Sequence, residues 1–298
     1  MPEAPPLEAR GLTKRFGSTT AVDELSFAIE PGRISGFLGP NGAGKTTTLR
    51  MLLGLVHATA GEALVEGVPY RKLDDPARTV GAVLEASSYH PGRSGRNHLR
   101  VLATAAGIPV ARTDETLEQV ELSGAARRPV KTYSLGMRQR LSVAGALLGN
   151  PRLLVLDEPA NGLDPEGIRW LRNFLRSFAA GGGTVFISSH VLAEVAQLAD
   201  EVVIIHKAKL VAHEPLAALT ARTAGGTIVR SPDAGRLRER LAATGIEATA
   251  AADGGLRAAA PPERVGEVAA EAGIVLHELR GESASLEEVF LELTGGEQ

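Results

Sequence analysis

Cysteine is missing from all 298 positions. That absence removes disulfides, cysteine-ligated zinc and thiol nucleophiles together, and it fits a cytosolic protein without requiring one. No apolar run of about 18 residues occurs, so no segment reads as a membrane-spanning helix. A transport role would need another polypeptide to supply the channel. The opening residues, Met1 to Arg10, carry prolines and acids but no basic patch ahead of an apolar stretch, and do not read as a secretory signal. Excess charge of one sign is also lacking. Thirty-two Lys and Arg against 35 Asp and Glu give a net charge of −3, so nothing global points to nucleic acid or an anionic lipid surface. What is present is ordinary for a globular protein, with 44% hydrophobic and 22% charged residues. The length accommodates a large domain beside a small one.

From Leu7 to about Pro215, short Val-, Ile- and Leu-rich runs alternate with helix-length stretches. Val80 to Leu84, Leu153 to Leu156, Thr184 to Ile187 and Val202 to Ile205 read as buried strands, and Glu166 to Ala179 reads as a helix. This alternation predicts an α/β domain with a mostly parallel sheet. Leu7 to Lys14 and Ala21 to Ile29 read instead as antiparallel strands. Between Ser87 and Val130 lies a helix-rich insertion that includes Arg96 to Ala106 and Thr113 to Leu122. After Pro215 alanine, glycine and glutamate rise. The pattern there is strand (Thr227 to Arg230), helix (Ala234 to Ala243), two strands (Ile246 to Ala251, Gly255 to Ala259), helix (Pro262 to Ala272) and strand (Ile274 to Leu279). This βαββαβ order is ferredoxin-like. A closing helix, Ser285 to Leu293, presents Leu286, Val289, Phe290 and Leu293 at helical spacing.

The strongest chemical signal is Gly39-Pro40-Asn41-Gly42-Ala43-Gly44-Lys45-Thr46, followed by Thr47. It follows the apolar run Ile34 to Leu38 and opens a helix with Leu49, Leu52, Leu53 and Val56 on one face. That strand–loop–helix context is what a P-loop requires. The glycines let successive backbone N–H groups converge on one concavity, and the helix N-terminus adds partial positive charge. Lys45 reaches the β- and γ-phosphates of a nucleotide, and Thr46 offers its hydroxyl to Mg²⁺. The second signal is Leu153 to Leu156 ending in Asp157-Glu158. At the C-terminal edge of a parallel sheet both acids stand beside the phosphate loop. Asp157 suits the Mg²⁺ shell, and Glu158 suits a general base for the attacking water.

These elements alone define a P-loop NTPase. Four further segments resemble the ABC ATPases. Tyr133-Ser134-Leu135-Gly136-Met137-Arg138-Gln139-Arg140-Leu141 resembles the family's signature motif. Asn161-Gly162-Leu163-Asp164-Pro165 resembles its D-loop. Ser188-Ser189-His190 resembles its switch histidine. Phe16 stands where the family stacks an aromatic ring on adenine, although a core phenylalanine is the alternative. The resemblance covers about Leu7 to Leu216 and implies the rest. The expected fold is a P-loop ABC ATPase domain over 1–220 with a helical subdomain at about 87–132, and the element order after Pro215 adds a small α+β accessory domain over 221–298. Ser134 and Gly136 bind the γ-phosphate of ATP held by a second copy, Asp164 communicates across that dimer, and His190 contacts the γ-phosphate. The expected cofactors are ATP and Mg²⁺. The expected partners are a second copy of this chain and a separate transmembrane permease that docks on the helical subdomain, at the cytoplasmic face of the membrane, with no nucleic acid.

Two departures from the family pattern stand out. The usual glutamine after Val80 to Leu84 is replaced by Glu85, which still accepts from a Mg²⁺-bound water but adds negative charge near the phosphates. The signature shows Leu135 and Met137 in place of the usual glycine and glutamine. Both variants, and the tail around Ser285 to Phe290, resemble exporter cassettes for antibiotics, lantibiotics or drugs. The arginines of the insertion, Arg93, Arg96, Arg100, Arg127 and Arg128, either serve the permease or form a solvated face. A cassette acting on ribosomes or DNA, a binding module without turnover, and an importer ATPase are the rival readings.

Overall fold

The structure, a computed structural model, describes residues 4–84, 89–223, 226–251, 255–282 and 286–293. It divides into two compact units, Met1–Glu214 and Pro215–Gln298.

In the first unit, β1 (Leu7–Phe16) and β2 (Thr19–Ala28) form an antiparallel pair. Next come β3 (Ile34–Leu38), α1 (Lys45–Leu52), β4 (Ala60–Val65), the short α2 (Pro76–Thr79) and β5 (Val80–Val83). Three helices, α3 (Gly95–Ala105), α4 (Arg112–Gln119) and α5 (Leu135–Leu147), make up the insertion. The remainder is β6 (Leu153–Asp157), α6 (Pro165–Ala180), β7 (Thr184–Ser189), α7 (Leu192–Ala196), β8 (Glu201–His206) and β9 (Lys209–Pro215). The strands build two sheets, a three-stranded antiparallel one ordered β2-β1-β4 and a six-stranded one ordered β5-β6-β7-β3-β8-β9. Within the larger sheet β5, β6, β7, β3 and β8 run parallel. Every residue of β3 and β7 is buried, which explains why these strands read as unbroken runs rather than alternating ones.

Phe27 from β2 packs between Phe37 of β3 and Phe186 of β7, with ring centroids 5.8 and 5.7 Å away. Phe37 and Phe186 stack at 5.2 Å. This trio joins the two sheets, each pair adding about 0.5–1.5 kcal/mol beyond simple burial. The order of the larger sheet matters for the site. The chain leaves β3, builds β5, β6 and β7 on one side, then crosses to place β8 on the other. A strand order that reverses in this way opens a crevice at the C-terminal strand ends, where ligands bind. Leu38 pairs with Ser189 and Asp157 pairs with Ser188, so the ends of β3, β7 and β6 lie level.

The second unit holds α8 (Leu216–Thr223), β10 (Gly226–Arg230), α9 (Ala234–Ala243), β11 (Ala248–Ala250), β12 (Leu256–Ala258), α10 (Pro262–Glu271), β13 (Glu278–Glu282) and α11 (Leu286–Leu293). Its sheet is wholly antiparallel in the order β11-β12-β10-β13, the ferredoxin-like arrangement expected from the element order. Leu237 and Leu241 of α9 and Val265, Val268 and Ala269 of α10 pack with Val229 and Leu256 of the sheet. One expected strand is displaced. Ile274 to Leu279 was predicted, yet the ladder runs over Glu278–Glu282. Ile274 is buried in the connection after α10, so its apolar character reports core burial rather than strand pairing.

Candidate nucleotide-hydrolysis site

Gly44 begins α1 with φ 108°, and a Cβ there would stand 2.4 Å from the Ala21 carbonyl oxygen. Only glycine fits, because the left-handed backbone and the close approach of the β2 main chain both exclude a side chain. No side chain caps α1, which leaves its first-turn N–H groups for an anion. Ala43 N donates to Pro40 O at 3.2 Å and closes the loop. Lys45 is almost fully buried. Its Nζ donates to Gly39 O at 2.7 Å and Pro40 O at 3.3 Å, so the loop folds over its own lysine. Thr46 and Thr47 are half-buried, and Asn41 and Gly42 are exposed on the loop.

Lys45 Nζ also lies 3.1 Å from Glu158 Oε1. The other oxygen, Glu158 Oε2, is 2.7 Å from His190 Nδ1 and accepts from the His190 backbone N–H at 3.3 Å. Three residues expected from separate motifs therefore form one chain: lysine, carboxylate, imidazole. Glu158 adopts φ 48°, a left-handed conformation that costs on the order of 1–3 kcal/mol and persists only where neighbours enforce it. Ser188 supplies the enforcement. Glu158 N donates to both Ser188 O (3.2 Å) and Ser188 Oγ (3.0 Å), while Ser188 Oγ donates to Asp157 Oδ1 at 2.5 Å. Ser188 carries no separate role in the motif pattern. The available signal was a hydroxyl at the end of an otherwise apolar strand, directly before Ser189-His190.

Ser134 caps α5, its Oγ accepting from Met137 N at 3.2 Å, and it is exposed. Nothing lies within 4 Å of a Cβ placed on Gly136. The signature helix thus turns an open N-terminus outward. Asp164 caps α6, accepting from Gly167 N at 2.8 Å. Phe16 is 52% exposed and so is not a core residue; Lys14 Nζ sits 4.8 Å from its ring centre. Glu85 lies outside the described residues. The structure brings together Lys45, Asp157, Glu158 and His190. Among the described residues, no group of three or more His, Asp or Glu side chains forms a metal site by itself.

The sequence model described as ABC transporter matches residues 22–161, and one described as Domain of unknown function (DUF8746) matches residues 225–287. The Bacitracin transport ATP-binding protein BcrA of Bacillus licheniformis is 43% identical over 219 residues, covering 72% of each chain. The protein of the same name from Enterococcus faecalis is 35% identical over 298 residues, covering 97% of this chain and 96% of its own. Among solved structures, one described as the ATP binding subunit of an ABC transporter superposes with a TM-score of 0.65 at 26% identity, covering 73% of this chain and 92% of the other. With the phosphate loop, acidic strand end and switch histidine converging in this order, and with a relative matched along nearly its whole length, the chain belongs to the ABC transporter ATP-binding proteins and is an ATPase.

Proposed function

We propose that this chain hydrolyses ATP as a homodimer that powers a separate membrane permease, exporting an antibiotic, peptide or drug-like molecule. The observation that carries the reading is the outward-facing N-terminus of α5, capped by exposed Ser134 and followed by open Gly136. Free N–H donors at such a terminus suit an anion brought by another molecule. Lys45 binds the β- and γ-phosphates from one side, and Ser134 and Gly136 of a second copy bind the γ-phosphate from the other. Closure then depends on the γ-phosphate, and its loss opens the dimer. Asp164, at the start of α6, communicates across the dimer, and Phe16 offers an exposed ring face to adenine.

The donor set fits Mg²⁺. Thr46 is half-buried in the first turn of α1, and Ser188 fixes Asp157 through one carboxylate oxygen, which sets the direction of the other. Thr46 and Asp157, with Glu85 in the place of the family glutamine, would hold the ion. When bound, it supplies neutralisation of phosphate charge. Glu158 orients the attacking water and accepts its proton, and His190 fixes the carboxylate through two contacts on Oε2. Residues 1–214 form the motor, with about 87–132 as the permease-facing subdomain, and 215–298 form the accessory domain. Attachment to the cytoplasmic face runs through the permease; among the described residues no helix is long and apolar enough to cross a membrane. The bacitracin-transport relatives support an antibiotic as the transported class.

The test is Glu158→Gln on a sizing column. The variant binds ATP and Mg²⁺ without turnover and elutes as a dimer; with ADP it elutes as a monomer. A variant that stays monomeric with bound ATP would overturn the sandwich.

A further inference from the structure

Behind the hydrolysis pair lies a partly open cavity of about 110 Å³, lined by Glu158, Ser188, Ser189, Arg172 of α6 and Glu194 of α7. Apolar side chains including Leu171 and Val195 form the rest of its wall. Two polar groups of opposite charge, Arg172 and Glu194, share its lining. The Arg172 Nε is buried and has no hydrogen-bond partner, although Nη1 of the same guanidinium donates to Gln197 Oε1 at 2.5 Å. Glu194 is half-buried. A buried charged donor left unmade is costly, and a cavity of this size admits a few water molecules that hydrogen-bond to both sides.

We infer that Arg172 and Glu194 are positioning residues of the hydrolysis site, joined through water in this cavity into a bridge that holds His190 and Glu158 in register with the D-loop helix. The connection can be followed residue by residue. Asp164 caps α6, and Arg172 lies two turns further along the same helix. Glu194 lies in the first turn of α7, four residues beyond His190. His190 in turn grips Glu158 Oε2 through both its backbone N–H and its ring. A shift of α6 at the D-loop is thereby passed to α7 and to the carboxylate that faces the attacking water. Burial pushes the Glu194 carboxyl up, the His190 ring pulls it down, and the Glu158 carboxylate pushes it up again, so Glu194 lies within electrostatic reach of both members of the pair. A small displacement of a catalytic group is enough to matter, since about 1 Å of misplacement costs roughly 100-fold in rate.

This inference rests on Glu158 and His190 being the hydrolysis pair, and the test separates the two ideas. Turnover and binding of a fluorescent ATP analogue are measured on the full chain for Glu194→Gln, Arg172→Gln, the double variant, and the conservative Glu194→Asp and Arg172→Lys. Each glutamine variant is expected to lower kcat by about 10-fold or more with KM and analogue affinity within about twofold. The double variant is expected to lose no more than either single one, because both substitutions cut the same bridge. The conservative variants recover part of kcat. Losses that multiply to about 100-fold in the double variant would show two independent effects and overturn the bridge, as would kcat values at the wild-type level. Unchanged analogue binding reports that a variant is folded. If glutamine variants fail to bind, the lysine and aspartate forms carry the same comparison. Glu158→Gln and His190→Ala run alongside: if these retain turnover, the underlying assignment of the pair fails, whereas loss of turnover there with additive bridge variants sinks the bridge alone.

Discussion

Lys45 Nζ and Glu158 Oε1 stand 3.1 Å apart, so the lysine proposed to grip phosphate is held by the carboxylate proposed to activate water. An arriving nucleotide must take Lys45 from Glu158, and the two anions compete for one ammonium. Glu158→Gln removes the charge of the competitor but keeps its shape. Affinity for ADP without Mg²⁺ is expected to rise by about fivefold, corresponding to roughly 1 kcal/mol for a partly screened pair. Equilibrium titration measures it, and an unchanged Kd would show that the pair does not compete. Lys45→Ala is expected to lower turnover by at least ~100-fold, as loss of a phosphate-facing donor does.

Gly44→Ala tests the geometry of the loop rather than its charge. The added methyl meets the Ala21 carbonyl oxygen at 2.4 Å, in a backbone conformation hostile to L side chains. The expected outcome is loss of nucleotide binding together with destabilisation of about 1–3 kcal/mol. Chemical denaturation and nucleotide titration on the same sample read both effects. Wild-type values for either would mean that the loop has another resting shape.

Ser134→Ala removes the cap of α5 and should cost about 1 kcal/mol of stability. Ser94→Ala is the matched control, since Ser94 caps α3 in the same way, accepting from Asn97 N at 3.3 Å. Both variants are expected to lose similar stability in urea, yet only Ser134→Ala should weaken ATP-dependent dimerisation in the Glu158→Gln background. Equal dimerisation in the two would detach the signature serine from the second copy.

Glu201 predicts an acid limb of stability. It is almost fully buried at the start of β8, accepts from Ser35 Oγ at 2.5 Å and from Glu30 N at 3.3 Å, and faces His213 Nε2 at 3.8 Å. Burial pushes its carboxyl up, but the His213 ring, the Ser35 hydroxyl and the Glu30 N–H together pull it below the ordinary carboxylate value. A depressed folded-state pKa means stability that is present above the ordinary value and lost as pH falls through the depressed one. Glu201→Gln should therefore cost about 1–3 kcal/mol at pH 7 and show a shallower loss on acidification than the parent. Urea midpoints across pH 3 to 7 measure the difference; parallel curves would contradict it.

The sequence announced the parallel strands because they are buried on both faces. Leu153 to Leu156 and Thr184 to Ile187 needed no alternation to be recognised, and each fell inside the observed strand. β4 and β9 escaped notice. β9 lies at the sheet edge, where Lys209 to Pro215 has no buried residue, and β4 begins with exposed Ala60-Gly61-Glu62. Edge strands carry little apolar signal, so pairing alone defines them. At the site, each motif residue was legible from its local context, but the links among them were not. That Glu158 is shared by Lys45 and His190, and that Ser188 forces its left-handed backbone, follows from how three separate strand ends align. No single stretch of sequence encodes that alignment. The cavity between Arg172 and Glu194 is likewise a product of α6 and α7 packing, with no motif to announce it.

Leu135 and Gly162 show how two of the surface loops are tied together. A Cβ on Gly162 would stand 2.8 Å from Leu135 Cδ2, and Gly162 itself has φ 72°. The leucine that replaces the family's glycine in the signature thus occupies the room that a side chain at 162 would need. Residue 162 is thus held to glycine twice over, by its left-handed backbone and by the leucine, so a swap of the signature for the common glycine form would lift the steric bar at 162 and leave the backbone one in place.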